Sequence, residues 1–342
     1  MNNGARVFNR LVWKSCPNNP VYPQGGTWIY DRAGWCPGMA TDIAEYDIST
    51  YVNGDSVLLD YGMSAATGDS RYIVNNQLVS YSNPNFTNDA RITEVIRPTN
   101  ATEYGRRNPT CYNPIIRIQN TGSALLTSAD LEIQINGNAP ITYSWTGSIG
   151  FMEDATVLIP VTQAFWTTAN PGTNTFTAKI TGVNGGADQY VHNNEYHTRF
   201  ELPINLPSKF VVKLKTNLAN ETTYTIKNGS GGLLFQKTGL LTNRTYVDTF
   251  QYAAGCYRLD VLDTGNDGLS FFANSDGTGY IRITDENGTI IENFNPDFGS
   301  GIEYYFTIGN TTGIQDSEKI QDIDVYPNPT NGILNVSSYS LI

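Results

Sequence analysis

The chain has 342 residues, 39% of them hydrophobic, enough to bury more than one core, so two to three domains are expected. Charged residues make up only 15% and the formal net charge is −11, which excludes nucleic acid and anionic membrane surfaces, since both demand clustered Lys and Arg. No apolar run is long enough to span a bilayer, and a composition rich in Asn, Thr, Gly and Tyr points to an exported all-β protein.

Met1-Asn-Asn-Gly-Ala-Arg6 has no apolar core and is no signal peptide, so Met1 is read as an internal start. The stretch Pro20 to Gly38 (PVYPQGGTWIYDRAGWCPG) gathers Trp28, Trp35, Asp31, Arg32 and Cys36 in a loop rich in Gly and Pro. Aromatic faces beside a fixed guanidinium suit a sugar or peptide, because sugars stack on rings and Arg holds oxygens in a fork. The plainer alternative is a loop whose tryptophans plug the open end of a β-sandwich. Ser56–Tyr61, Tyr72–Tyr81 and Arg91–Ile96 then read as strands, the last closing this first unit before Pro98.

Trp13-Lys14-Ser15-Cys16, Asn19-Pro20, Pro23-Gln24-Gly25-Gly26-Thr27-Trp28 and Tyr30 through Gly38 resemble the C-terminal lobe of peptide-N-glycosidase F and its secreted bacterial relatives. The resemblance spans residues 1–98 and implies an N-terminally incomplete jelly-roll lobe with an N-glycoprotein or glycan as partner. It places Arg32 and Trp35 on the wall of the substrate cleft. From the residues themselves, Asp31 is positioned to orient Arg32 by a charge-assisted hydrogen bond, and Trp28 is a further substrate-binding candidate. It also implies a Cys16–Cys36 disulfide, the state expected of an exported protein, which should restrain the unfolded chain by roughly 3 kcal/mol. Cleaving a glycan–asparagine amide needs one carboxylate to handle water and another to assist the leaving group. In the resembling family these acids lie outside the matching stretch, so the sequence as written carries no catalytic residue and is expected to be inactive alone. Asp42, Glu45 and Asp47 read as solvated turn residues.

Residues 99–203 read as an Ig-like β-sandwich, with strands at Pro114–Gln119, Asp130–Ile135, Ile141–Trp145, Ala155–Ile159 and Thr175–Ile180. The stretch Ile116 to Ser123 resembles bacterial Ig-like spacer and adhesion modules. His192 and His197 offer at most two metal ligands across an Asn-Asn turn, and polar turn residues are the better reading. Cys111 and Cys256 fall in different predicted domains. They read as isolated buried thiols, with pairing across an interface as the alternative.

Residues 206–309 read as a second jelly-roll-like sandwich, with strands at Phe210–Lys215, Tyr224–Lys227, Gly255–Leu262, Gly279–Thr284 and Glu303–Ile308, and a hairpin turn at Asn287-Gly288. Within it, Asp263, Asn266 and Asp267 in Asp263-Thr-Gly-Asn-Asp-Gly268 offer oxygens for Ca²⁺, and an Asx-rich turn explains the same residues. Cys256 through Gly268 resembles a module appended to secreted Bacteroidota enzymes. Residues 310–342 read as a linker and then Ile323 to Val336, which resembles the opening of a type A sorting domain, cut short at Ile342. That implies the type IX secretion machinery as a partner and a secreted or cell-surface location.

The sequence therefore reads as the C-terminal part of a secreted peptide-N-glycosidase F-like amidase. A cell-surface carbohydrate-binding or adhesion protein, and a relative of the copper monooxygenases, which share the lobe architecture, are the alternatives.

Overall fold

The computed structural model describes residues 46–52, 54, 57–59, 77–265, 267–271, 275–309, 323–326 and 335–338. Trp28, Asp31, Arg32, Trp35, Cys16 and Cys36 lie outside the described residues, and so does Asn266. What is described is almost wholly β, arranged as two sandwiches in succession. Among the described residues no helix is long and apolar enough to cross a membrane.

The first sandwich uses seven strands: β1 (Ala90–Arg97), β2 (Ile115–Asn120), β3 (Leu126–Ile135), β4 (Ile141–Ile149), β5 (Asp154–Leu158), β6 (Thr173–Val183) and β7 (Glu195–Glu201). They form a three-stranded sheet in the order β1-β2-β5 facing a four-stranded sheet in the order β4-β3-β6-β7. Alternation drives this arrangement, since side chains on a strand point to opposite faces in turn. In β3, Ala129, Leu131, Ile133 and Ile135 point inward, each 1% exposed. Phe176, Ala178 and Ile180 of β6 meet them in the same core. The four-residue helix α1 (Gln163–Trp166) delivers Trp166 into that core, edge-on to Phe200 at 5.9 Å. Asn136 and Gly137, at φ of +52° and +72°, make the turn between β3 and β4, as an Asn-Gly pair should.

Arg91–Ile96, read as the closing strand of the first unit, falls within a strand that belongs to this sandwich. Ala90–Arg97 pairs antiparallel with β2 and opens this sandwich instead. The described end of Tyr72–Tyr81, from residue 77 on, has no strand.

The second sandwich is built from β8 (Asn205–Leu206), β9 (Lys209–Lys215), β10 (Thr222–Asn228), β11 (Leu233–Lys237), β12 (Thr245–Gln251), β13 (Gly255–Asp263), β14 (Tyr280–Thr284), β15 (Ile290–Asn293) and β16 (Gly301–Ile308). Its sheets run β11-β10-β13-β16-β8 and β12-β9-β14-β15. Phe210, Val212, Leu214, Ile226, Leu259, Val261, Ile281, Ile283 and Phe306 fill the space between them. The Asn287-Gly288 turn joins β14 to β15 as expected, with Gly288 at φ +91° and the Asp285 carboxylate accepting the Thr289 amide at 2.7 Å. A final hairpin pairs β17 (Ile323–Tyr326) with β18 (Asn335–Ser338).

Cys111 and Cys256 form a disulfide, 145 residues apart, that joins the two sandwiches. They are buried as expected, at 3% exposure each, but they are not isolated thiols. The loop before β2 and the start of β13 are brought together by packing between the sandwiches, which local sequence does not encode. Around the bridge, Arg97 donates from Nη1 to the Tyr305 hydroxyl at 2.7 Å and from Nε to the Asn113 carbonyl at 2.7 Å. Arg106 donates from Nη2 to the carbonyls of Gly301 at 2.7 Å and Phe298 at 3.1 Å. The Tyr112 hydroxyl donates to the Asn228 carbonyl.

Candidate metal centre

The end of β13 and the turn after it hold the densest group of acids described. Asp263 is the last residue of the strand and is 3% exposed. Its Oδ2 accepts the amides of Asp267 and Gly268, both at 3.0 Å, so one carboxylate oxygen shapes the turn. Its Oδ1 is buried without a hydrogen-bond partner. Gly268 sits at φ +74° and the next residue, Leu269, is fully buried and donates its amide to the Pro296 carbonyl at 2.7 Å.

Two backbone contacts bring a second loop against this turn. Thr264 donates its amide to the Glu221 carbonyl at 3.2 Å, and Leu218 donates its amide to the Asp276 carbonyl at 2.6 Å. As a result, one carboxylate oxygen each from Glu221, Asp267 and Asp276 lies within 4.8 Å of the others. All three residues are half-buried. Glu221 Oε1 is buried and has no hydrogen-bond partner. Gly265 backs the group closely: a Cβ there would stand 2.2 Å from Glu221 Oε2 and 3.1 Å from Asp267 Oδ1.

Gathering like charges out of water disfavours ionisation. Burial, then the charges of Asp267 and Asp276, raise the Glu221 carboxyl above its ordinary range. Asp263 is pushed up to about 7, first by burial and further by Glu221 and Asp267, against the two turn amides that favour its charge. Asp297 is pushed up to about 6 by burial and by Asp267.

The sequence reading offered Asp263, Asn266 and Asp267 together. The structure keeps Asp263 and Asp267 adjacent but spends half of the Asp263 carboxylate on the turn, and adds Glu221 and Asp276 from distant positions. Asp276-Gly277 is itself an acid before a glycine, a faint local sign, while Glu221 gave none. His192 and His197 do not meet. His192 meets the Tyr190 ring edge-on, with centroids 5.5 Å apart, while His197 is bonded through Nδ1 to Thr177 Oγ1 at 2.9 Å and paired through Nε2 with Glu195 at 3.0 Å.

Gly268 is tied to the turn by both backbone angle and space. Gly268→Ala places a side chain in the left-handed region, with its Cβ 2.4 Å from the Pro296 carbonyl oxygen and 2.8 Å from the Phe298 amide nitrogen. The expected cost is about 3 kcal/mol from strain and overpacking together. Urea unfolding monitored by tryptophan fluorescence measures it.

Comparison with known proteins bears on the other end of the chain. Residues 1–90 match the family described as Peptide-N-glycosidase F, C terminal. Over 89 residues the chain is 30% identical to Peptide-N(4)-(N-acetyl-beta-D-glucosaminyl)asparagine amidase F of Elizabethkingia miricola, an alignment that covers 24% of this chain and 25% of that protein. The chain thus spans about a quarter of the length of that relative. A solved CARDB domain of a Pyrococcus furiosus protein, in complex with di-metal ions, aligns with 38% of this chain and 99% of that one at 14% identity and a TM-score of 0.21, a likeness too slight to bear on the fold.

Proposed function

We propose that this chain is the C-terminal part of a secreted peptide-N-glycosidase F-like protein acting on N-linked glycoproteins. Its N-terminal region holds the substrate and two cross-linked sandwiches follow as accessory domains. The match of residues 1–90 to the C-terminal family of that enzyme carries the reading. Residues 27–38 supply the chemistry: Arg32 gives a fork of donors for glycan oxygens, and Trp28 and Trp35 give stacking faces. The acids that cleave the amide are not supplied by these residues. Ile323 to Val336 is the address for type IX export, which puts the protein outside the cell.

Calorimetric titration of the chain with an N-glycopeptide, and with the same peptide lacking the glycan, tests this. The expected result is binding of the glycopeptide alone, weakened at least tenfold by Arg32→Ala and by Trp35→Ala. Incubation with a denatured N-glycoprotein is expected to release no glycan. Equal affinity for both peptides overturns the substrate assignment. Release of N-glycans overturns the claim that the cleaving acids lie elsewhere.

A further inference from the structure

We infer that the outer face of the sheet β12-β9-β14-β15 binds a linear glycan bearing carboxylates, a uronate polymer, laid along β9. This does not rest on the reading of residues 1–90.

Burial fixes which side chains face outward. Phe210, Val212 and Leu214 of β9 and Ile281 and Ile283 of β14 lie in the core, so the residues between them stand on the other face. That face carries Lys209, Lys213 and Lys215 of β9 and Arg282 of β14, and among the described residues no outward position of these strands is an acid. At a rise of about 3.3 Å per residue, the lysines run about 20 Å along one strand.

Cations elsewhere in this chain of net charge −11 are matched: Lys227 and Arg258 by Asp260, Lys237 by Asp248, Arg117 by Glu94. On this face only Lys209, at one end, has an ion-pair partner among the described residues, Glu286 at 2.8 Å. Lys213 reaches toward the β14–β15 turn, where a Cβ on Gly288 would stand 3.7 Å from its Nζ. The acids of that turn are engaged elsewhere, Asp285 with the Thr289 amide and Glu286 with Lys209. In register, Lys213 stands directly opposite Arg282. Like charges so placed destabilise a sheet, and an acid at either position would turn that cost into a gain. An anionic ligand removes the same cost. Arg282 is also held ready for one. Its Nε donates to Asn293 Oδ1 at 2.6 Å and its guanidinium lies 4.4 Å from the Tyr280 ring centroid, which orients the group and leaves both Nη without a partner among the described residues.

The surroundings select the kind of anion. β9 and β14 are the inner strands of the sheet and spend their backbone groups on their neighbours, so a ligand here is read by side chains and not by strand addition. The exposed apolar side chains Val247 and Ile290 stand on opposite edge strands and form no cluster to anchor a peptide. The neutral polar residues Thr245, Thr249, Gln251 and Asn293 are hydroxyls and amides, suited to sugar hydroxyls. Nucleic acid packs its charge densely and is repelled by the rest of an acidic chain, whereas a uronate glycan spaces its carboxylates out, one on each sugar, and Arg282 takes a carboxylate in a fork.

Calorimetric titration of the full chain with hexagalacturonate, with neutral maltohexaose and with a hexaglutamate peptide tests the face. Hexagalacturonate alone is expected to bind, more weakly as NaCl is raised. Lys215→Gln and Arg282→Gln are each expected to weaken it roughly fivefold or more. Lys179→Gln removes the same charge from the first sandwich, where Glu132 and Glu195 flank it in register, and is expected to leave the affinity unchanged. Because Lys215→Gln removes a like charge, it is expected to unfold at the same or a higher temperature than the parent, which separates loss of a contact from loss of fold. Absence of hexagalacturonate binding overturns the inference, as does an equal loss in Lys179→Gln, which reports net charge and not this face. Hexaglutamate binding as tight as hexagalacturonate overturns the glycan assignment in favour of an acidic peptide. Arg32→Ala is expected to leave hexagalacturonate binding unchanged and Lys215→Gln to leave glycopeptide binding unchanged, so failure of one proposal is distinct from failure of the other.

Discussion

The Cys111→Ala, Cys256→Ala double variant is expected to lose about 4 kcal/mol of stability and to unfold roughly 10 °C below the parent chain. The bridge closes a loop with a sequence separation of 145, near the long end of the range over which cross-linking restrains an unfolded chain. Arg97, Arg106 and Tyr112 still join the sandwiches without it, so most of the loss arises in the unfolded state rather than from undocking. Both cysteines are 3% exposed, so a mild reductant added to the folded protein is expected to leave the bridge closed. Reductant with partial denaturant should open it. Urea titration of parent and variant under oxidising conditions measures the difference, and a loss below 1 kcal/mol would show that the junction contacts already fix the pairing.

Much of the second and third units is written in alternating residues. Leu131, Ile133 and Ile135, or Ile281 and Ile283, announce strands because one side of each must be buried. Strands that bury little were not legible. Leu233–Lys237 is an edge strand with no fully buried side chain. Thr245–Gln251 alternates in burial, but it turns Asp248 inward and leaves Val247 59% exposed, so its residue types hide the period. Alternation also names strands without naming partners. Ala90–Arg97 reads correctly as a strand, but Pro98 after it suggested a boundary, and only the register with Ile115–Asn120 reveals which sheet it joins. The same limit hid the disulfide, whose halves lie on different sandwiches. In the acid cluster, Asp263 and Asp267 were visible because an acid four residues before Asp-Gly is a local turn pattern. Glu221 and Asp276 were not, because the backbone bonds Thr264 to Glu221 and Leu218 to Asp276 are tertiary.

Asp260→Ala is expected to cost about 3–5 kcal/mol, the usual penalty for leaving a buried charge without its partner. The Asp260 side chain is 8% exposed, accepts a hydrogen bond from Arg258 Nη2 at 2.8 Å, and pairs in charge with Arg258 Nε at 2.6 Å and Lys227 Nζ at 2.8 Å. Burial works against the Arg258 charge, and the hydrogen bond and charge of Asp260 outweigh it, holding the guanidinium above its ordinary range. Arg258 also lies over the rings of Tyr112 at 5.3 Å and Tyr305 at 5.7 Å, and Arg97 binds the Tyr305 hydroxyl from the other sandwich. Without Asp260, Arg258 keeps Glu303 at 3.9 Å from its Nη1 as its ion-pair partner among the described residues. Two tyrosine faces cannot neutralise that group, since a ring offers a quadrupole to a cation and no net charge. The double variant Asp260→Ala, Arg258→Met removes both charges and fills the space with an apolar chain, so it should recover most of the loss. A double-mutant cycle in urea therefore separates a desolvated pair from a solvated one. A large coupling that persists in 0.5 M NaCl places the pair inside the junction, where salt screens poorly, whereas a single-variant loss under 1 kcal/mol would place it in solvent.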